Sequence, residues 1–173
     1  MRQIALAQHN HLVCVDRLDC AALKLHFEQL VDCPRERLFR FHCDPSNLAA
    51  LLGRRRGFSV LRHGGGIEPG CETWVIDAFG GLPVTMGFRH VALDAPNGFE
   101  EHMFHGPFAR FAHRHVFVES GASTRVIDEL DVSLPWWLGG EFGLRTLVAG
   151  HLRAAFAFRQ RELTRLVREG GVP

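Results

Sequence analysis

Apolar residues recur along this chain with two periods, and the places where one gives way to the other mark its elements. "LKLHFEQLVD" alternates, with Leu23, Leu25, Phe27 and Gln29 on one face, which predicts a strand. Asp32 and Pro34 then suit the cap and first turn of a helix with the body "RERLFRFH". Pro45 disfavours α conformation in the residue before it, so that helix ends near Asp44. "PSNLAALLG" predicts a second short helix, closed by Gly53. Beyond it, "FSVLRH", "CETWVIDAF", "PVTMGFRHVAL", "FEEHMFH", "FARFAHRHVFV" and "STRVIDELDVSL" read as strands, separated by short links rich in glycine, proline and other residues that turn the chain. Links this short predict an antiparallel meander. From Gly143 to Val167 the period becomes helical: Leu144, Leu147, Val148, His151, Leu152, Ala155 and Phe158 form an apolar stripe, continued by Leu163 and Leu166. Residues 1–22 show no clear period and form an extension of unassigned structure, and 169–173 form a short tail.

The order is strand, two short helices, six strands and one long helix, an α+β arrangement with a sheet of about seven strands. Two short helices are too small to fill the centre of a curved sheet packed on one long helix, so the fold is expected to hold a cavity. Polar residues interrupt the face that should line it. Along "RFAHRHVFV" the residues Phe111, His113, His115 and Phe117 share a face, and on the returning strand Val126, Asp128, Leu130, Val132 and Leu134 do. A tight turn near Gly121 pairs residues whose numbers sum to about 241 or 243. Asp128 then faces His113 or His115 directly or diagonally, with Cβ atoms about 4.5–5.5 Å apart for a direct pair. Glu101 joins from the neighbouring strand if its register is as expected, and Arg89 is a candidate to balance the acids.

Composition narrows the classes of partner. Twenty basic and 19 acidic residues leave a formal charge of +1, so no global field recruits nucleic acid or an anionic membrane. Five cysteines, at 14, 20, 33, 43 and 71, include no C-x-x-C pair, which speaks against a disulfide framework or a thiolate zinc site and for a reducing cytoplasm. The apolar start is broken by Gln8, His9, Asn10 and His11, unlike a signal peptide, and no stretch reaches the length of a membrane span. Integral membrane association is not expected. The simplest nucleotide, hydrolase and zincin motifs are missing, and no cofactor is assigned.

Four segments carry a family resemblance: "CPRERLFRFHCDPSNL", "HGPFARFAHRHVF", "STRVIDELDVSLP" and a closing helix ending "FAFRQRELTRLV". In this order they resemble the START-like, or SRPBCC, superfamily, the helix-grip and polyketide cyclase-like proteins, and within it the bacterial ligand-binding members. The resemblance covers residues 23–168. It departs from the pattern at Glu101 and Met103, where Asp and Gln are expected, and at Phe111, where Trp is common. It implies a helix-grip fold and a cavity between the sheet and the long helix for a small hydrophobic or amphipathic molecule such as a lipid, in a monomer or homodimer. It also admits a cyclase or dehydratase activity.

In the carrier reading the polar cluster orients one end of the ligand; in the enzyme reading His113 or His115 with Asp128 moves a proton. The plain alternative is a buried pair whose members satisfy each other. Trp74, Met86, Phe88, Met103, Phe111, Phe117, Val126, Leu130, Trp136 and His151 are the candidates to line or gate the pocket with Arg89 and Glu101. Ordinary core packing is the competing reading of each apolar one, and a boundary position that of His151. His113-x-His115 with Glu101 or Asp128 has ligand types that suit zinc or iron, but H-x-H alone is a weak pattern. Arg54, Arg55 and Arg56, the only basic run, read as a solvated loop.

Overall fold

A computed structural model describes residues 17–19, 22–79 and 81–172. His9-x-His11 lies outside them. Eight strands form one antiparallel sheet: β1 (Arg17–Asp19), β2 (Ala22–Val31), β3 (Ser59–His63), β4 (Glu72–Phe79), β5 (Leu82–Asp94), β6 (Gly98–His105), β7 (Arg110–Ser120) and β8 (Ser123–Ser133). Their spatial order is β1-β2-β8-β7-β6-β5-β4-β3, the expected meander with β2 closing on β8. The seven long strands are those the alternation predicts. β1 adds an eighth, three-residue strand from the extension, paired with the start of β2.

Between β2 and β3 run α1 (Arg35–Cys43) and α2 (Ser46–Leu52). α1 stops where Pro45 requires, with Asp44 in an extended conformation, and Gly53 caps α2. Asp32 does not cap α1. Pro34 holds the N-cap position without a side-chain acceptor, and the Asp32 carboxylate instead accepts a hydrogen bond from Ser123 Oγ at 3.3 Å.

After β8 come a 3₁₀ turn (Trp136–Leu138), α3 (Gly140–Gly143), a π-helical turn (Leu144–Val148) and α4 (Ala149–Arg168). In the π turn the Ala149 N–H donates to the Leu144 carbonyl five residues back, so one extra residue enters the helix and shifts its phase. The buried positions beyond it are Ala149, Leu152, Phe156, Arg159 and Leu163, while Leu147 of the predicted stripe is 72% exposed. Phe156 and Arg159 replace Phe158 as the residues that α4 turns inward.

The core falls into two clusters. One joins Leu23, Leu25, Phe27, Phe111, Leu130 and Val132 of the sheet to Leu144, Val148, Leu152 and Phe156 of the helix. The other packs Leu38, Phe39 and Phe41 of α1 on Phe99, Phe117 and Val126. Charged groups and a cavity lie in the region between sheet, α1, α2 and α4.

Candidate functional site

Strand alternation and register assemble the polar centre. His115 lies directly opposite Asp128 and His113 opposite Leu130, a pairing that sums to 243. On the other side of β7, His113 lies opposite Glu101. Gly98 lets β6 approach here, because a Cβ at that position would come within 2.2 Å of the His115 carbonyl oxygen. His113, His115 and Asp128 are each less than a tenth exposed.

His113 bridges the two acids. Its Nε2–H donates to Asp128 Oδ1 at 3.1 Å, and its Nδ1 lies 3.2 Å from Glu101 Oε1. His115 Nδ1 lies 2.8 Å from the same Asp128 oxygen, and its Nε2 is 3.9 Å from Glu101. From α4, Arg159 Nη1 donates to Asp128 Oδ1 at 2.7 Å. Burial alone would raise both carboxyl pKa values. For Asp128 the Arg159 charge, and for both acids the histidine hydrogen bonds, outweigh it and hold them well below the ordinary range. Desolvation works against a proton on His113, but its two carboxylate partners prevail and raise its pKa; desolvation and the neighbouring His113 lower that of His115.

The cavity beside this cluster has a volume of about 170 Å³. Its walls are largely apolar, including Phe41, Leu48, Met86, Phe88, Phe99 and Phe111, and Glu101, His113, His115 and Arg159 break them. Two further histidines, His42 and His90, also line it and were not singled out from sequence. His42 Nδ1–H donates to the Leu38 carbonyl, and burial pushes its pKa down to about 3. His42 Nε2 and His90 Nδ1 are buried without a hydrogen-bond partner among the described residues. Orphaned buried polar atoms are rare and point to something they would meet.

The other sequence candidates divide by strand face. Met86, Phe88 and Phe111 line the cavity with Glu101, His113 and His115. Asp128 sits behind the histidines. Phe117 and Val126 belong to the core beneath α1, Leu130 to the core beneath α4, and Met103 packs partly buried at that cluster's margin. Trp74 and Arg89 lie on the opposite face of the sheet. Trp74 meets Phe104 edge-on, and Arg89 donates to Glu72 at 2.7 Å rather than balancing the central acids. Trp136 is 87% exposed on its 3₁₀ turn and is not part of the cavity wall.

A second cluster closes the cavity at its α2 side. Arg55 Nη1 donates to both Asp77 oxygens at 2.7 Å, and His151 Nε2 lies 3.0 Å from Asp77 Oδ2. The ring of His151 rests on Phe79, with centroids 3.9 Å apart. Arg55 is thus the one member of the arginine run with a structural task on view. Burial would raise the Asp77 pKa from its ordinary 3.8, but hydrogen bonds from His151 and Arg55 lower it instead. Its contribution to stability is therefore present above pH 3.8 and lost as pH falls through the depressed folded value. Asp77→Asn is expected to cost about 1–3 kcal/mol near pH 7, and its deficit should shrink in acid. Urea titrations of both proteins from neutral to acidic pH check this; a deficit that stays constant with pH would remove the linkage.

No protein-family model matches this sequence, and no curated protein does. Among solved structures 209 chains match in fold. The protein Ms6760 from Mycobacterium smegmatis is similar with a TM-score of 0.70 at 15% identity, over 89% of this chain and 94% of that one. Ara h 8.0201, which is Bet v 1-like, gives 0.62 at 11% identity, over 86% and 99%. CalU16 from Micromonospora echinospora, which is polyketide cyclase-like, gives 0.58 at 13% identity, over 93% and 90%. At these identities the likeness is one of fold: the chain has the SRPBCC-like helix-grip fold.

Proposed function

We propose that this chain binds a small, mostly apolar molecule carrying one polar group, with its apolar part against Met86, Phe88 and Phe111 and its polar end at Glu101, His113 and His115. The observation that carries the reading is one cavity that combines greasy walls with a buried, converging polar cluster and two orphaned histidine nitrogens. The fold supports it too, since SRPBCC proteins commonly bind small hydrophobic ligands. At about 170 Å³ the cavity suits a single ring or short chain, because apolar cavities of roughly 150 Å³ take up a benzene-sized molecule. A full lipid acyl chain needs the walls to open.

We place this binding in the cytoplasm, which suits the free thiols of Cys33, Cys43 and Cys71. Among the described residues no helix is long and apolar enough to cross a membrane. A monomer or homodimer serves equally.

The test is a panel of single-ring compounds with and without one hydrogen-bonding substituent, followed by thermal shift and ligand-observed NMR. Members with the polar group are expected to bind about tenfold tighter than the bare ring, the equivalent of roughly 1.4 kcal/mol. Glu101→Leu should reduce that preference. Failure of the whole panel, together with no organic mass released on denaturing the purified protein, would support a filled core and sink the binding reading.

Proton transfer to the bound molecule is the second reading, favoured by the seat of His113 between two carboxylates on the cavity wall. His113→Asn separates the two. A carrier keeps its full role with somewhat weaker binding, whereas a cyclase- or dehydratase-like enzyme binds and no longer turns over.

A further inference from the structure

We propose that Glu101, His113 and His115 form a binding site for a divalent transition metal of the zinc class, with its open positions facing the cavity. This goes beyond the binding of an organic molecule and does not depend on it. Two imidazoles and a carboxylate are a donor set that Zn²⁺ and Fe²⁺ accept. The three donor atoms lie within 4.8 Å of one another. Bonds of about 2.0–2.1 Å to one ion call for donor atoms roughly 3–3.5 Å apart. Glu101 Oε1 and His113 Nδ1 are already 3.2 Å apart and His115 Nε2 is 3.9 Å from the same oxygen, so coordination requires the donors to draw in from separations of up to 4.8 Å.

The far side of each ring carries the argument further. The nitrogens turned away from Glu101, His113 Nε2 and His115 Nδ1, both meet Asp128 Oδ1, at 3.1 and 2.8 Å. A carboxylate behind a histidine accepts a hydrogen bond from the outer N–H, which fixes the proton there and leaves the inner lone pair for an ion. One aspartate does this for both rings here. Arg159 holds that aspartate in turn, at 2.7 Å from α4, although its Nη2 also reaches to 3.3 Å from His115 Nδ1. The shorter approach of that nitrogen is to the carboxylate oxygen, a distance two lone pairs would not tolerate, which assigns the proton to Nδ1.

Charge completes the case. Arg159 offsets Asp128, so the Glu101 carboxylate faces two inner imidazole nitrogens with no arginine or lysine between them among the described residues. A carboxylate and two ring nitrogens directed at one buried point call for a positive centre, a proton or an ion. A proton on His113 satisfies only one of the two nitrogens; a metal ion satisfies both. All three ligands stand on the adjacent strands β6 and β7, with Glu101 directly opposite His113, so the site is preorganised by the sheet. An ion there would act as a Lewis acid toward an oxygen of a molecule in the cavity.

The experiment uses the full chain, stripped with a chelator and titrated with Co²⁺ and then Zn²⁺, following visible absorption and metal content. The expected result is one ion per chain, with the absorption of a low-coordinate cobalt site that zinc abolishes. Asp128→Asn keeps all three ligands and should weaken binding about 10–100-fold. Because that change also disturbs Arg159, Glu101→Gln is the companion variant: nearly isosteric and outside the Arg159 contact, it should lose the cobalt spectrum while its circular dichroism stays that of the parent. Overturning results are a folded, stripped parent that takes up no stoichiometric metal, or a Glu101→Gln variant with the parent's affinity and spectrum. Single-ring compounds titrated into the same metal-free samples keep the two proposals apart: uptake there without metal binding overturns the metal site and leaves the binding reading standing.

Discussion

Arg159→Met is expected to destabilise the fold by about 3–5 kcal/mol, the range for breaking a buried ion pair by removing one partner. Methionine keeps much of the apolar stem on α4, so what is lost is the guanidinium. Asp128 is 4% exposed and would keep its charge with only two histidines beside it. The pair itself need not be a net gain, since its burial carries a desolvation penalty. The double change Arg159→Met with Asp128→Leu should therefore recover much of the loss, because hydrophobic replacement of a whole buried pair is often close to neutral. Urea denaturation of parent, single and double variants at neutral pH measures this. A single-variant loss under about 1 kcal/mol, the range of an exposed pair, would mean that the histidines alone balance Asp128.

Phe156→Ala should cost about 3–5 kcal/mol and at the same time enlarge the cavity. The Phe156 ring stacks on Phe27 with centroids 4.5 Å apart and planes 2° from parallel, and it meets His113 edge-on at 5.3 Å. Phe156 lines the cavity, so the space left behind adjoins it, and the fully buried Phe27 cannot fill that space without moving the sheet or α4. Benzene or indole should enter that space and raise the melting temperature of the variant more than that of the parent. Equal shifts in both proteins would show that the removed ring does not border the bound molecule.

Much of this was legible in the chain, and the limits have physical causes. Hairpin arithmetic about Gly121 places Asp128 against the two histidines because a strand's side chains keep a strict period of two and the turn sets the register. The same rule already separates Arg89 from its neighbours: Met86, Phe88 and His90 share one parity and face the cavity, whereas Arg89 has the other and faces out. His90, not Arg89, was the residue to choose. Trp74 fails in the same way beside Thr73, Val75 and Asp77, which turn inward. Arg159 was not legible. At 3.6 residues per turn it falls on the face of Leu152 and Leu163, seven residues after one and four before the other, but an arginine on an apolar stripe ordinarily reads as solvated and gives no sign of a buried carboxylate to meet. His42 was hidden for another reason, since a histidine in the last turn of a helix ordinarily suits its dipole and gives no sign of burial.

The π turn also bears on which changes of length this chain can absorb. Removing one residue from Leu144–Val148 would restore a regular helix and turn everything beyond it by about 100° relative to what precedes. Arg159 would swing away from Asp128, and the apolar ridge of α4 would no longer face the sheet. A stretch that touches none of the central charges thus governs whether they are neutralised. Descendants of this sequence should therefore tolerate substitution there, at positions such as the exposed Arg145 and Leu147, far more readily than the loss of a single codon.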